Sequence, residues 1–152
     1  MRKTVLALCI GFLLFGFRTQ KPISEEQLRM EKSFDTSLSR DAAFDKGEEW
    51  INKTFAWTRS PLEYQNKPEG KMISRGRIGL PRHGTTDLPV TFSMTFEFEA
   101  GKYKLSFTHV DAWWGESDNR LWGVFTEDQV ETIHGKFQAL CEDFGQYLNA
   151  GR

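Results

Sequence analysis

Two periods of apolar and polar residues divide most of the chain into elements. From Lys32 to Ser39, Phe34, Thr36 and Leu38 alternate with Ser33, Asp35 and Ser37, the period of a half-buried strand. From Asp41 to Phe55 the period lengthens. Phe44, Gly47, Ile51 and Phe55 recur at helical spacing with Trp50 beside them, while Asp45, Glu48, Glu49 and Lys53 face away, so this segment predicts an amphipathic helix. Leu62 to Asn66 predicts a short strand, and Lys67-Pro68-Glu69-Gly70 a turn with proline second and glycine fourth. Lys71 to Leu80 is the partner strand, in which Gly76 and Gly79 predict a bend or bulge. They do not form a phosphate loop, because no helix start follows them.

The clearest alternation lies further on. Val90, Phe92, Met94, Phe96 and Phe98 alternate with Thr91, Ser93, Thr95, Glu97 and Glu99. Glu99-Ala100-Gly101-Lys102 then signals a hairpin into a strand where Tyr103, Leu105 and Phe107 oppose Lys104, Ser106 and Thr108. Thr126 with Gln129 forms a capping box that opens a last helix, whose stripe is Val130, Ile133, Phe137, Leu140, Phe144 and Leu148. The order is β-α-β-β-β-β-α. It predicts an α+β fold with a single antiparallel sheet of about five strands and two helices covering one face.

Ahead of this domain, residues 1–19 read as a signal peptide or N-terminal anchor. Met1-Arg2-Lys3 is basic, and Val5 to Phe17 is apolar but shorter than the ~20 residues a bilayer span needs. Gly16 and Thr19 are the small residues near its end, and no Ala-x-Ala site is present, so cleavage and retention both stay open. Leu6-Ala7-Leu8-Cys9 comes too early for a lipoprotein box and places Leu8 where a small residue is wanted. The expected location is exported: periplasmic, envelope-associated or secreted, with the membrane touched only through an uncleaved leader. Residues 20–31 form a polar spacer or a short helix, Ser24 and Gln27 having the form of a capping box. Residues 32–150 form one domain.

Composition narrows the function. A chain of 152 residues with 39% hydrophobic content, 13 Phe and 5 Trp can build one real core without disulfides or metal. The net charge of −1 becomes −3 without Arg2 and Lys3, and acids and bases interleave, so nucleic acid is not an expected partner. Of the two cysteines, Cys9 lies in the leader and Cys141 on the apolar stripe of the last helix, where a buried, inert thiol is expected. The only base on that helix, His134, lies two turns away.

Several stretches resemble an uncharacterised bacterial family, domain of unknown function 4468, described as having a TBP-like fold. They are Asp45 to Phe55 (DKGEEWINKTF), Glu63 to Gly76 (EYQNKPEGKMISRG), Val90 to Glu99 (VTFSMTFEFE) and Gly101 to Asp111 (GKYKLSFTHVD), which together span about half the chain. The order strand, helix, four strands, helix is also that of the TBP half-repeat. The resemblance implies an exported or envelope-associated protein of this fold. It transfers no functional residues, and a shared fold does not make the chain a DNA binder.

Three places on the chain are candidates for chemistry or binding. His109 and Asp111 share a face at the end of the last strand, but a metal or acid/base site needs a third group such as His83. A plain structural role, with Asp111 accepting a hydrogen bond from the imidazole, is the simpler expectation. Trp113, Trp114 and Trp122 flank a loop with Glu116, Asp118 and Asn119, either a platform for a glycan or peptide or a lid over the core. The outward sheet face reads Arg75, Arg77, Thr91, Ser93, Thr95, Glu97, Lys104, Ser106 and Thr108, and its uncharged middle suits a protein partner or a second copy. No catalytic set, metal site or cofactor is expected. The leading expectation is a non-enzymatic interaction module using the sheet face or the Trp loop. The alternatives are a helix-grip binder of a lipid-like small molecule between sheet and last helix, and then a hydrolase centred on His109 and Asp111.

Overall fold

The computed structural model describes residues 23–57, 60–81, 87–112 and 125–150. Within them the elements run α1 (Glu25–Leu28), β1 (Met30–Asp35), α2 (Arg40–Thr54), β2 (Leu62–Asn66), β3 (Lys71–Leu80), β4 (Leu88–Glu99), β5 (Lys102–Ala112) and α3 (Glu127–Asn149). The strands form one antiparallel sheet in the order β1-β5-β4-β3-β2. The chain enters at one edge, crosses the inner face as α2, and returns strand by strand as a meander. The expected order is present, with α1 added in front. There Ser24 and Gln27 do form a capping box, and Leu28 is buried.

β1 starts two residues earlier than the alternation predicts and stops four residues sooner. Thr36 N–H donates to Gly101 O (2.9 Å), and Thr36 Oγ1 then accepts from Leu38 N–H (3.2 Å), turning the chain out of the sheet. Ser39 caps α2 by accepting from Ala42 N–H. The alternating Thr36 and Leu38 therefore belong to a turn, where a hydroxyl competes with the ladder for backbone donors.

The core is a layer of rings between the sheet and the two long helices. β4 presents Phe92, Met94, Phe96 and Phe98; α3 answers with Ile133, Phe137, Cys141 and Phe144, and α2 with Ala43, Phe44, Trp50 and Ile51, all buried. Phe137 stacks on Phe107 at 4.3 Å and meets Phe92 edge-on at 4.9 Å, while Phe144 stands 5.0 Å from Trp50. Rings this close need small neighbours. A Cβ added to Gly76 would lie 2.2 Å from Phe92 Cζ, and one added to Gly47 would lie 2.8 Å from both Met72 Cε and Phe98 Cζ. Gly76 is therefore the floor under the Phe92 ring. It does not mark the expected bulge, because β3 pairs with β4 from Lys71–Glu97 to Leu80–Leu88 without a register shift. The bulges lie elsewhere, in β2 between Leu62 and Tyr64 and in β5 opposite Phe92.

A polar seam joins the helices above this layer. Trp50 Nε1–H donates to Asp143 Oδ2 (2.7 Å), and Lys46 Nζ donates to the carbonyls of Leu148 and Ala150 (3.1 Å each). The last turn of α3 carries no basic residue of its own, so Lys46 of α2 supplies the positive charge that its orphan carbonyls favour.

Two neighbouring positions on the inner face of β3 should respond in opposite ways. Gly76→Ala should cost about 1–3 kcal/mol through overpacking against Phe92, read as a lower urea midpoint, and Phe92→Leu should recover part of the loss. Ser74 is buried with its Oγ unpartnered among the described residues, so Ser74→Ala should leave the midpoint unchanged or raise it by up to ~1 kcal/mol. A fully tolerated Gly76→Ala would remove the ring-on-glycine contact as a determinant of the fold.

Candidate functional site: the open sheet face

Both long helices pack on the inner face of the sheet, and among the described residues no element covers the outer one. Register places its side chains in rows. One row runs Asp111, Thr91, Arg77, and the next Thr108, Ser93, Arg75. A third row reaches both edge strands as Glu31, Ser106, Thr95, Ile73, Tyr64, and a fourth reads Ser33, Lys104, Glu97, Lys71, Asn66. All nine outward residues expected from the alternation stand on this face. Strands are ~4.8 Å apart and same-face residues ~6.8 Å apart along a strand, so Thr91, Ser93, Thr95, Ser106 and Thr108 form one patch of short hydroxyl side chains.

The margins of the patch are charged and aromatic. Lys104 lies between Glu97, to which it is ion-paired, and Glu31 at 4.0 Å. The hydrogen bond to Glu97 and the carboxylate charges of Glu97, Glu31 and Glu99 hold the Lys104 ammonium above its ordinary value. Glu31 also accepts from Ser106 Oγ (3.2 Å), which leaves Ser106 buried on the outer face. On the far side Arg75 pairs with Glu63 (2.9 Å), and the Arg77 guanidinium lies 6.0 Å over the Trp57 ring. Among the described residues Trp57 and Tyr64 are the exposed large aromatics, at 51% and 42%. Neither stands out in the sequence. The extra residue at the β2 bulge puts Leu62 opposite the inward Ser74 and Tyr64 opposite the outward Ile73. Trp57 lies beyond the end of the α2 stripe, where helical spacing has no bearing.

The second bulge decides the fate of His109 and Asp111. Thr91 pairs with Asp111 and Ser93 with Thr108, so β5 has one residue more than β4 over this stretch, and His109 takes φ 50. The insertion brings Val110 and Ala112 into the core and leaves His109 exposed and Asp111 half-buried opposite Thr91. His109 Nδ1 shares a hydrogen bond with Thr108 Oγ1 (3.1 Å), where Asp111 was the expected partner. A positive φ on a non-glycine residue is costly, and here the inward turn of Val110 compensates it.

The remaining candidates do not assemble with these residues. Cys141 is 1% exposed, and burial pushes its thiol up to about 11 against a weaker pull from Lys32. His134 Nε2 is buried without a partner among the described residues, and no Cys–His pair is formed. Among the described residues no group of three His, Cys, Asp or Glu could hold a metal ion, and no helix is long and apolar enough to cross a membrane. Residues 1–19, His83, and Trp113, Trp114 and Trp122 with their loop lie outside the described residues. Surface depressions occur among the described residues. One of about 540 Å³ sits at the start of α2 among Arg40, Asp41, Glu69 and Glu99, and one of about 320 Å³ lies beside Trp57 and Arg77 with Gly79, Asp87 and Pro89.

A family model described as a domain of unknown function (DUF4468) with TBP-like fold matches residues 34–113, more than half of the chain. The structure is similar to a TBP-like protein from Parabacteroides distasonis ATCC 8503, with 12% identity, a TM-score of 0.59, and coverage of 87% of this chain and 99% of that one. It is likewise similar to a DUF4468 family protein from Bacteroides ovatus ATCC 8483, with 10% identity, a TM-score of 0.57, and coverage of 82% and 90%. At such identities the likeness shows the shared fold. Comparison with curated proteins finds no match.

The Cys141 thiol sets a pH dependence. Folded, it keeps its proton up to about 11, whereas the unfolded chain loses it near the ordinary value of 9.0. Between these values the native state binds more protons than the unfolded one, so stability must fall as pH rises through the window. The urea midpoint should drop between pH 9.0 and about 11, and Cys141→Ala should remove part of the drop. Native alkylation mapped to Cys141 should run at least ~100-fold slower than in the unfolded chain, and an equal rate would refute the inert thiol.

Proposed function

The chain belongs to the DUF4468 family and has its TBP-like fold, and from that premise we propose that it is a non-enzymatic interaction module whose open sheet face receives a protein partner. The observation that carries this reading is the hydroxyl patch, Thr91, Ser93, Thr95, Ser106 and Thr108, framed by Arg75, Arg77, Trp57 and Tyr64. Short hydroxyls offer donors and acceptors with little rotamer entropy to lose, and they let another surface come close. Arginine and large aromatics at the margin are the residue types that anchor protein interfaces.

Chemistry finds less support. A general base and a nucleophile must stand within hydrogen-bond reach, whereas His109 is exposed on a sheet bulge and Cys141 lies inside α3 as a neutral thiol. A helix-grip binder needs free volume between sheet and last helix. That space holds Phe92, Phe107 and Phe137 at ring distances of 4.3–5.7 Å. The basic start and thirteen-residue apolar run of residues 1–19 support export, which places the partner in the envelope or beyond it.

A photo-crosslinking amino acid in place of Thr95 tests the reading in native envelopes. Protein adducts should form from this position and not from Ala139, which is exposed on the far side of α3. Equal labelling from both positions, or none from Thr95, would overturn the proposal.

A further inference from the structure

One symmetry operation makes the outer face its own complement. Asp111 and Arg77 stand one strand to either side of Thr91, and Thr108 and Arg75 flank Ser93 in the same way. Consider a second copy laid face to face on the first about a two-fold axis running along β4. Such an axis puts β4 over β4, β5 over β3 and β1 over β2. Thr91, Ser93 and Thr95 then meet their own counterparts, where small uncharged side chains permit contact. Asp111 of each copy stands over Arg77 of the other, and the Tyr64 hydroxyl stands over Glu31. An axis across the strands would instead lay β3 on β3 and set Arg75 and Arg77 against guanidinium groups of their own kind, which repel in a desolvated contact.

The charges on each side fit this arrangement. Arg77 is steadied by the Trp57 ring and has no carboxylate partner among the described residues. Asp111 has an interaction within its own chain, and a carboxylate with two oxygens accepts further donors beside it. The row Lys104, Glu97, Lys71 would meet itself, but Lys104 is already ion-paired with Glu97. The ~30° rotation between aligned sheets also splays that end of the contact.

Resting on the reading of this face as an interaction surface, we infer that its partner is a second copy of this chain, packed face to face about an axis along β4 and held by two reciprocal Arg77–Asp111 pairs. About fifteen outward side chains at roughly 33 Å² of plan area each give ~500 Å² per copy, short of the ~800 Å² of a standard interface. The dimer is therefore reversible and forms in the micromolar range.

Sedimentation of the full chain over a concentration series, with the charge variants, tests this. Wild type should show a concentration-dependent dimer. Arg77→Asp and Asp111→Arg should each weaken it at least ~10-fold by setting like charges opposite each other. An equimolar mixture of the two single variants should pair at close to wild-type strength, because both cross-copy contacts are then of opposite sign. Mixing cannot repair damage that Asp111→Arg does inside its own chain, so recovery reports the interface alone. Ser93→Arg, on the axis, should abolish the dimer while circular dichroism and the urea midpoint stay unchanged. A monomer at ~0.5 mM, or a mixture that fails to recover, would overturn the inference. In that event, Thr95 adducts to other proteins would leave the interaction module standing with a different partner, and their absence would remove both.

Discussion

The ring of Phe92 lying against Gly76 is the contact on which the rest of the arrangement depends. It lets the sheet approach α3 closely enough for Phe137 to reach both Phe92 and Phe107. That approach in turn brings α2 and α3 side by side, where Trp50 meets Phe144 and donates to Asp143. A core built this way concentrates large apolar side chains on one face of the sheet. The other face is left to Thr, Ser and charged residues, so the polar patch and the aromatic layer are two sides of one allocation along β4.

Much of this allocation was legible in the sequence. The alternation from Val90 to Glu99 has both faces right because β4 is the central strand and carries no extra residue itself, the bulge opposite Phe92 belonging to β5. The stripe from Ile133 to Leu148 was equally plain, since a single missing residue at helical spacing would open the core. Period alone loses the faces where one inserted residue changes the phase. Tyr64 and His109 both sit at bulges, and a bulge is a property of two strands together that no single segment reveals. Gly76 was read as a local feature of its own strand, when its cause is a ring on the neighbouring one.

The candidate site was legible in its middle and hidden at its margins. Thr91, Ser93, Thr95, Ser106 and Thr108 follow from period alone. Tyr64 and Glu31 join them only through the pairing of β2 and β1 at the edges, and Trp57 only through its contact with Arg77, all long-range facts. These edge strands are short, five and six residues against ten to twelve for the three between them. Glu31, Lys32 and Asp35 put charge along β1, which discourages lateral growth of the sheet. Contact with another chain is thereby directed toward the broad face and away from the rims.

The hold that Lys46 keeps on Leu148 and Ala150 spans more than a hundred positions of chain, and the pairing of β1 with β5 is nearly as distant. The Lys46 contacts cannot form until the C-terminal turn of α3 has been made, whereas β1 can pair as soon as β5 has been. Locking of α2 onto α3 therefore follows the making of all five strands. Until then the rings of Phe92 and Phe107 lack the cover that Phe137 gives them.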